Sequence, residues 1–295
     1  MRVTPVEAGH FKLDGGAMFG VVPKTLWSRT NPADENNLIY IAARCLLIQD
    51  QNRIILIDTG MGAKQSARFF SYYQPSPSVT LKKSLLAKHI DPGMITDVFL
   101  THLHFDHCGG AVEWNADQTD YQLTFPNATY WSTKNHWQWA TQPNPREKAS
   151  FLKENILPIE KSGQLQFVKK VSEQNTYQDT SELGFGVLFA DGHTDKQMLP
   201  IFSYNGNTFV FAADLLPTVG HIPLPYVMGY DTRPLITLAE KEEFLNRAAN
   251  EGWYICMEHD PLHEIITVQH TEKGVRLKDT YTYKQIFDEK KTIDD

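Results

Sequence analysis

The sequence predicts a layered α/β fold, and three observations lead there. Short apolar, β-branched runs recur along the chain, and several end in a turn that carries Asp or His. Segments with helical patterning and end signals stand between them. The length of 295 residues and hydrophobic content of 41% are compatible with one large domain built on a substantial core. We read a single domain over 1–295 in two halves, about 1–160 and 161–295, that share a plan of strands followed by helix.

Residues 1–60 read mainly as strands and turns. The runs 45–48 and 54–57 flank the polar turn Asp50-Gln51-Asn52, a hairpin signal. The second run ends in Asp58-Thr59-Gly60-Met61-Gly62. Gly62-Ala63-Lys64 faintly suggests a phosphate loop but lacks the first glycine and the Ser/Thr after the lysine. Residues 78–90 read as a helix with Leu81, Leu85, Leu86 and His89 on one face, which makes His89 a packed or rim histidine. Asp91-Pro92-Gly93 breaks the chain, and 94–100 follows as a buried strand. Segment 111–160 holds four of the six tryptophans, Trp114, Trp131, Trp137 and Trp139, with four prolines. It is expected either to form a lid or dimer contact or to pack aromatics onto the core, with His136 in either role. In the second half, the run 185–190 ends at Asp191-Gly192-His193-Thr194, and strands 199–204 and 208–213 flank Asn205-Gly206-Asn207 before Asp214. Thr237 reads as an N-cap, with Glu240 completing a capping box and Gly252 stopping the helix. The strand 253–257 then ends at Glu258-His259-Asp260-Pro261.

The chemistry concentrates in Thr101-His102-Leu103-His104-Phe105-Asp106-His107-Cys108-Gly109-Gly110. Neutral imidazoles bind zinc and similar divalent ions, and a carboxylate adds charge compensation. His102 and His104, two apart, can reach one ion, while Asp106 and His107 are offset and can reach a second. The alternative is a polar loop of unrelated histidines, but this pattern arises rarely by chance. His193, Asp214 and His259 each follow the C-terminal end of a predicted strand, as the 102–107 cluster does. In layered α/β folds such ends share one edge, where sites form. Asp58 is read as orienting nearby groups by hydrogen bonds rather than as a metal ligand. Cys108 reads as a small buried packing residue, and no Gly-x-Ser-x-Gly elbow is present.

The net charge of −7, from 28 basic and 35 acidic residues, argues against nucleic acid and for a small-molecule substrate. No stretch approaches the length of a membrane span, and no basic run suggests a membrane surface. Residues 1–20 lack an apolar export core, and Cys45, Cys108 and Cys256 are odd in number and widely spaced, so a reducing cytoplasm is expected. The sequon Asn127-Ala128-Thr129 is then read as chance.

Taken together, Asp58-Thr59-Gly60, His102-x-His104-x-Asp106-His107, Gly192-His193-Thr194, Asp214 and His259 resemble the five ordered motifs of the metallo-β-lactamase superfamily, across nearly the whole chain. The resemblance implies an αββα four-layer sandwich with a two-metal site. It implies that His102, His104 and His193 hold one ion, that Asp106, His107 and His259 hold the other, and that Asp214 bridges both, with Asp58 supporting the ligands. Two divalent cations are expected, zinc first, though such donors also accept iron, manganese or cobalt. Within the superfamily the chain is most similar to quorum-quenching N-acyl homoserine lactonases, on the metal motifs, Met18-Phe19-Gly20-Val21-Val22-Pro23-Lys24 and Phe211-Ala212-Ala213-Asp214-Leu215-Leu216-Pro217. That similarity implies lactone or ester opening by a metal-bridging hydroxide, with Asp106 as proton donor and a tyrosine polarising the carbonyl. Tyr226 and Tyr230 both lie in the right part of the chain for that tyrosine. A homodimer is suggested by the same resemblance.

Met18, Phe19, Val21, Val22 and Phe105 are candidates for an acyl groove, with Val21 and Val22 favoured as ordinary core. Of the unassigned histidines, His221 is the one expected near the site. Glyoxalase II fits less well, because only about 36 residues follow His259. The exported β-lactamases, nucleases and redox diiron members also fit less well. The competing functions are a phosphotriesterase on the same dimetal site and a non-catalytic metal-binding protein.

Overall fold

Side-chain alternation in the first hairpin assigns its residues to two cores. In the computed structural model, which describes residues 1–169 and 176–288, strands β1 (Arg2–Asp14), β2 (Leu38–Asp50) and β3 (Arg53–Ile57) are antiparallel neighbours. Leu46, Ile48, Ile55 and Ile57 face the space between two sheets, while Cys45, Leu47 and Leu56 face the opposite way, toward helices. Successive residues of a strand point to opposite faces, so a strand buried on both sides reads as a continuous apolar run.

β4 (Asp97–Phe99), the outlying ribbon β5 (Val112–Trp114) and β6 (Tyr121–Leu123), β7 (Thr129–Ser132) and β8 (Leu165–Phe167) complete the first half. The first sheet has the order β1-β2-β3-β4-β7-β8, parallel from β3 onward. Leu165–Phe167 pairs in parallel with β7 at the edge of that sheet. The second sheet comprises β9 (Tyr177–Gln178), β10 (Gly186–Ala190), β11 (Gln197–Tyr204), β12 (Asn207–Phe211), β13 (Tyr254–Cys256), β14 (Ile265–Thr271) and β15 (Gly274–Tyr281). Its order runs β15 to β9 consecutively, and among the described residues only β12 and β13 pair in parallel.

Three hydrophobic layers follow. Phe99, Val187, Phe189, Met198, Phe209 and Phe211 join the two sheets face to face. The outer face of the first sheet packs Val98, Leu100 and Tyr130 against Leu85, Trp137 and Ile156 of its helices. The outer face of the second packs Leu199, Val210 and Ile255 against Phe244, Leu245 and Ala248 of helix Pro234–Glu251. The architecture is therefore the αββα sandwich.

Several local expectations change. The 78–90 helix is confined to Leu81–Leu86, capped by Thr80; Leu86 points outward and His89 is exposed at φ +60°, past the helix end. Residues 92–94 form a tight turn with Asp91 accepting from the Gly93 N–H, so the strand after it is only three residues long. Helix Pro234–Glu251 starts one turn earlier than expected, because Pro234 is preorganised for the first helical position. Thr237 is thereby buried inside the helix and caps nothing, and Glu240 instead accepts from the N–H groups of Asp191 and Gly192 at 2.7 and 3.0 Å. Gly252 ends the helix at φ +69°, where glycine is unstrained. No helix among the described residues is long and apolar enough to cross a membrane.

Trp131 and Trp137 are core residues, Trp114 stacks on Tyr121 at the ribbon, and Trp139 donates to Glu147 at 2.6 Å. Segment 111–160 thus packs onto the first sheet, while its 146–150 stretch forms a wall of the site.

Candidate metal centre

The expected ligands converge at the C-terminal ends of β3, β4, β10, β12 and β13. The turn after β3 grips the segment after β4. Thr59 N and Oγ1 both donate to His107 O at 2.7 and 2.8 Å, and Gly110 N donates to Gly60 O at 2.9 Å. A Cβ on Gly109 or Gly110 would overlap the backbone of Met61 or Thr59, so only glycine permits this approach. Asp58 occupies the left-handed region at φ +57°, which Asp tolerates better than most residues. From there its Oδ1 accepts from Thr101 N at 2.8 Å and its Oδ2 from Thr101 Oγ1 at 2.6 Å.

Hydrogen bonds on the outer side of each imidazole fix which nitrogen faces inward. Thr101 Oγ1 gives its proton to Asp58, so it offers a lone pair to His102 Nδ1 at 3.1 Å; that nitrogen carries the ring proton and Nε2 faces the centre bare. His107 Nδ1 lies 3.0 Å from Asp58 Oδ2, His193 Nδ1 2.8 Å from Asp231 Oδ1, and His259 Nδ1 2.8 Å from Ala42 O. His104 is turned over, with Nε2 3.2 Å from Glu147 Oε1 and Nδ1 inward. Each outer acceptor directs one bare nitrogen to the centre, the arrangement by which metal-binding histidines are oriented.

The inward atoms form two groups. His104 Nδ1 stands 3.1 Å from both His102 Nε2 and His193 Nε2, and Asp214 Oδ2 lies 3.1 Å from His193 Nε2 and 3.8 Å from His102 Nε2. In the second group His107 Nε2 and His259 Nε2 are 3.0 Å apart, and Asp214 Oδ1 lies 2.9 Å from the latter and 3.4 Å from the former. Asp106 Oδ2 is 3.9 Å from both rings. Ligand atoms around a tetrahedral ion with bonds of roughly 2.0–2.1 Å stand about 3.3 Å apart, which these spacings match. Bare nitrogens facing one another at such distances have no hydrogen bond to make, and Asp214 Oδ1 is buried without a hydrogen-bond partner. A cation satisfies all of them at once. The donor set therefore fits two divalent ions.

Electrostatics agree. Burial lowers the pKa of His102 and His104. For His193 and His259 burial acts the same way, but Asp214, joined by Asp231 at His193 and by Glu258 at His259, outweighs it and raises them to about 10 and about 9. Protons and cations thus compete for the same nitrogens.

A cavity of about 330 Å³ opens over the ligands, walled by Leu13, Met18, Tyr73, Phe105, Met228 and Tyr230, with Arg146 at one side. Tyr226 instead packs edge-on against Phe19. Phe19 is buried between Trp27 and His221. Val22 is core as expected, whereas Val21 is 97% exposed, because the tight turn at Gly20 rotates it to solvent. His221 bonds Met18 O and Thr218 and meets the cavity only through Met18. Cys108 is buried, with its thiol on Leu103 O.

Sequence reasoning missed Asp231, Glu147 and Glu258. Asp231 and Glu147 stand in irregular segments with no motif around them. Glu258, adjacent to His259, lies 3.2 Å from His107 Nδ1, and burial raises its carboxyl to about 7. His136 accepts from Leu103 N at 2.9 Å and thereby pins the ligand loop between His102 and His104.

Comparison with solved structures agrees with this architecture. A probable metal-dependent hydrolase from Staphylococcus aureus superposes with a TM-score of 0.77 at 24% identity, covering 95% of this chain and 98% of the other. AidC, a dizinc quorum-quenching lactonase in complex with a product, has a TM-score of 0.72 at 21% identity and covers 95% of each chain. A hydrolase of the beta lactamase superfamily, AbOPH, has a TM-score of 0.74 at 19% identity over 95% of this chain and 94% of its own. No curated protein matches the chain. Residues 41–259 match the metallo-beta-lactamase superfamily, and with the fold and the histidine–aspartate centre in place the chain belongs to that superfamily as a hydrolase.

Proposed function

We propose that this hydrolase opens a lactone or carboxylic ester, of the N-acyl homoserine lactone type, at a dizinc centre. The observation that carries the reading is the apolar-walled cavity lying directly over two groups of convergent ligands. The product-bound lactonase sharing the fold supports it. His102, His104 and His193 would hold one ion and Asp106, His107 and His259 the other, with Asp214 shared. Two bound cations supply Lewis-acid polarisation of the carbonyl and activation of water near neutral pH.

The chain's own residues do the rest. Asp58, Asp231 and Glu147 hold the imidazoles in their tautomers. Met18, Phe105 and Met228 exclude solvent and receive an apolar acyl group. As water oxygen bonds to the carbonyl carbon and the ring C–O bond breaks, the Asp106 carboxylate takes the proton released by that water. It then passes the proton to the departing alkoxide. The hydroxy acid formed loses its own proton at neutral pH, which gives the assay.

The test is proton release by the metal-loaded protein on short- and long-chain N-acyl homoserine lactones, alongside Asp106→Asn. Ring opening that drops at least a hundredfold in the variant, with little change in KM, is the expected result. Near-normal turnover in the variant would remove Asp106 from the role. No turnover by a fully loaded protein on any lactone or ester, with turnover of phosphotriesters, would replace the substrate class.

A further inference from the structure

A second and larger cavity, of about 720 Å³, lies apart from the metal centre and shares no wall residue with it. It is bounded by the second half of β1, the 59–64 turn, the helix Ala67–Tyr73 and the 74–82 segment. Phe11, Ala43, Phe70, Val79 and Leu81 make its interior mostly apolar. The helix Ala67–Tyr73 separates the two spaces, with Phe70 on this side and Tyr73 on the metal side. The volume is within the range of about 300–1,000 Å³ usual for small-molecule sites.

Two buried polar groups among its wall residues are incompletely satisfied. Lys64 is 6% exposed, and its Nζ donates to Val112 O at 2.9 Å and to Gly109 O. Among the described residues no carboxylate comes within ion-pair distance of it, and an ammonium has a third N–H to place. Thr124 is also a wall residue, and its Oγ1 is buried with no hydrogen-bond partner. The one carboxylate of the wall, Glu113, is taken by Lys82 at 2.6 Å. Buried charges are ordinarily paired. Burial lowers Lys64 to about 8, so the group is still mainly cationic at neutral pH.

We propose that this cavity binds a medium-chain alkyl carboxylate, its head group against Lys64 and Thr124 and its tail along Phe11, Phe70 and Leu81. The carboxylate supplies the counter-charge and the missing hydrogen bond together, and the apolar wall takes the chain. An alcohol of the same length satisfies only the hydrogen bond, and an alkylammonium meets like charge.

The test is calorimetric titration of the metal-loaded full chain with decanoate, decan-1-ol and decylammonium, each below its micelle concentration, repeated after chelation. Decanoate is expected to bind once per chain, at least tenfold more tightly than decanol, with decylammonium weaker still and no change on chelation. Val79→Trp, at a half-buried rim position, is expected to abolish binding of both decanoate and decanol while leaving ester hydrolysis intact. Lys64→Met is expected to erase the preference for carboxylate over alcohol, its folding being checked by circular dichroism. The comparison of the three ligands on the unmodified chain does not depend on that variant. Absence of saturable decanoate binding, equal binding of decylammonium, or binding that survives Val79→Trp would overturn the proposal. So would binding lost on chelation, since that carboxylate would sit at the metal ligands.

Discussion

Asp231 Oδ1 meets His193 Nδ1 at 2.8 Å with both side chains buried, so one carboxylate in a motif-free loop decides which ring nitrogen of His193 faces the candidate metal centre. Removing such an orienting partner costs roughly ten- to a hundredfold in metal affinity. Asp231→Ala is accordingly expected to weaken binding at that site by this factor, read by competition with a chromophoric chelator. An unchanged affinity would show that packing alone orients His193.

His221 gives a pH dependence of stability with a definite sign. Burial lowers its pKa to about 4, and it is stacked on Phe19 with bonds to Met18 O and Thr218. The unfolded histidine, near 6.5, takes up a proton that the folded one refuses between pH 6.5 and 4. Stability is therefore fully present above about pH 6.5 and falls as the pH drops, by up to about 3 kcal/mol for this group by pH 4. The proposed metal ligands titrate as well, so the informative quantity is the difference between the wild type and His221→Gln. That difference in urea midpoints is expected to favour the wild type most at pH 7 and to shrink toward pH 5; a constant difference would contradict the assignment.

Gly192 stands between β10 and His193 with its Cα against Thr237 of helix Pro234–Glu251, and an added Cβ would overlap Thr237 N and Oγ1. Overpacking of this kind costs about 1–3 kcal/mol. Gly192→Ala is expected to lower the denaturation midpoint accordingly and also to reduce bound metal, because the strain is adjacent to His193, a proposed ligand. Loss of stability with undiminished metal content would mean that the helix gives way instead.

The parts legible in the sequence are those whose chemistry is local. The run 54–57, the hairpin at 50–52 and the His-x-His-x-Asp-His cluster each declare themselves within a few residues. His193, Asp214 and His259 could be grouped only because each follows a strand. Partners reached by tertiary folding leave no such trace: Glu147 meets His104 from 43 residues away and Ala42 O meets His259 from 217. Thr237 misled for a related reason, since Pro234 had already started the helix and freed Glu240 to hold the Asp191–Gly192 turn. Val21 and Val22 are alike in hydropathy, and only the turn at Gly20 separates an exposed valine from a buried one.

The structure also separates the two tyrosines that sequence left level. Tyr230 is in the cavity wall with His104, Asp106, His193 and Asp214, and its hydroxyl makes no hydrogen bond to any described residue. Partial burial in the cavity wall, with Tyr73 and Asp106 adding to it, raises its pKa above the usual tyrosine range, so it remains a proton-bearing donor throughout the working pH. Tyr226 lies edge-on to Phe19, with ring centroids 6.5 Å apart, outside that wall. A hydroxyl that meets the developing oxyanion of an opening lactone contributes on the order of 10²-fold to kcat. Tyr230→Phe is expected to lose about that much in kcat, with bound metal unchanged and KM altered little, while Tyr226→Phe retains full activity. Steady-state kinetics with metal analysis on both variants decides the matter. Equal losses would indicate a shared packing effect, and an unaffected Tyr230→Phe would leave carbonyl polarisation to the cations alone.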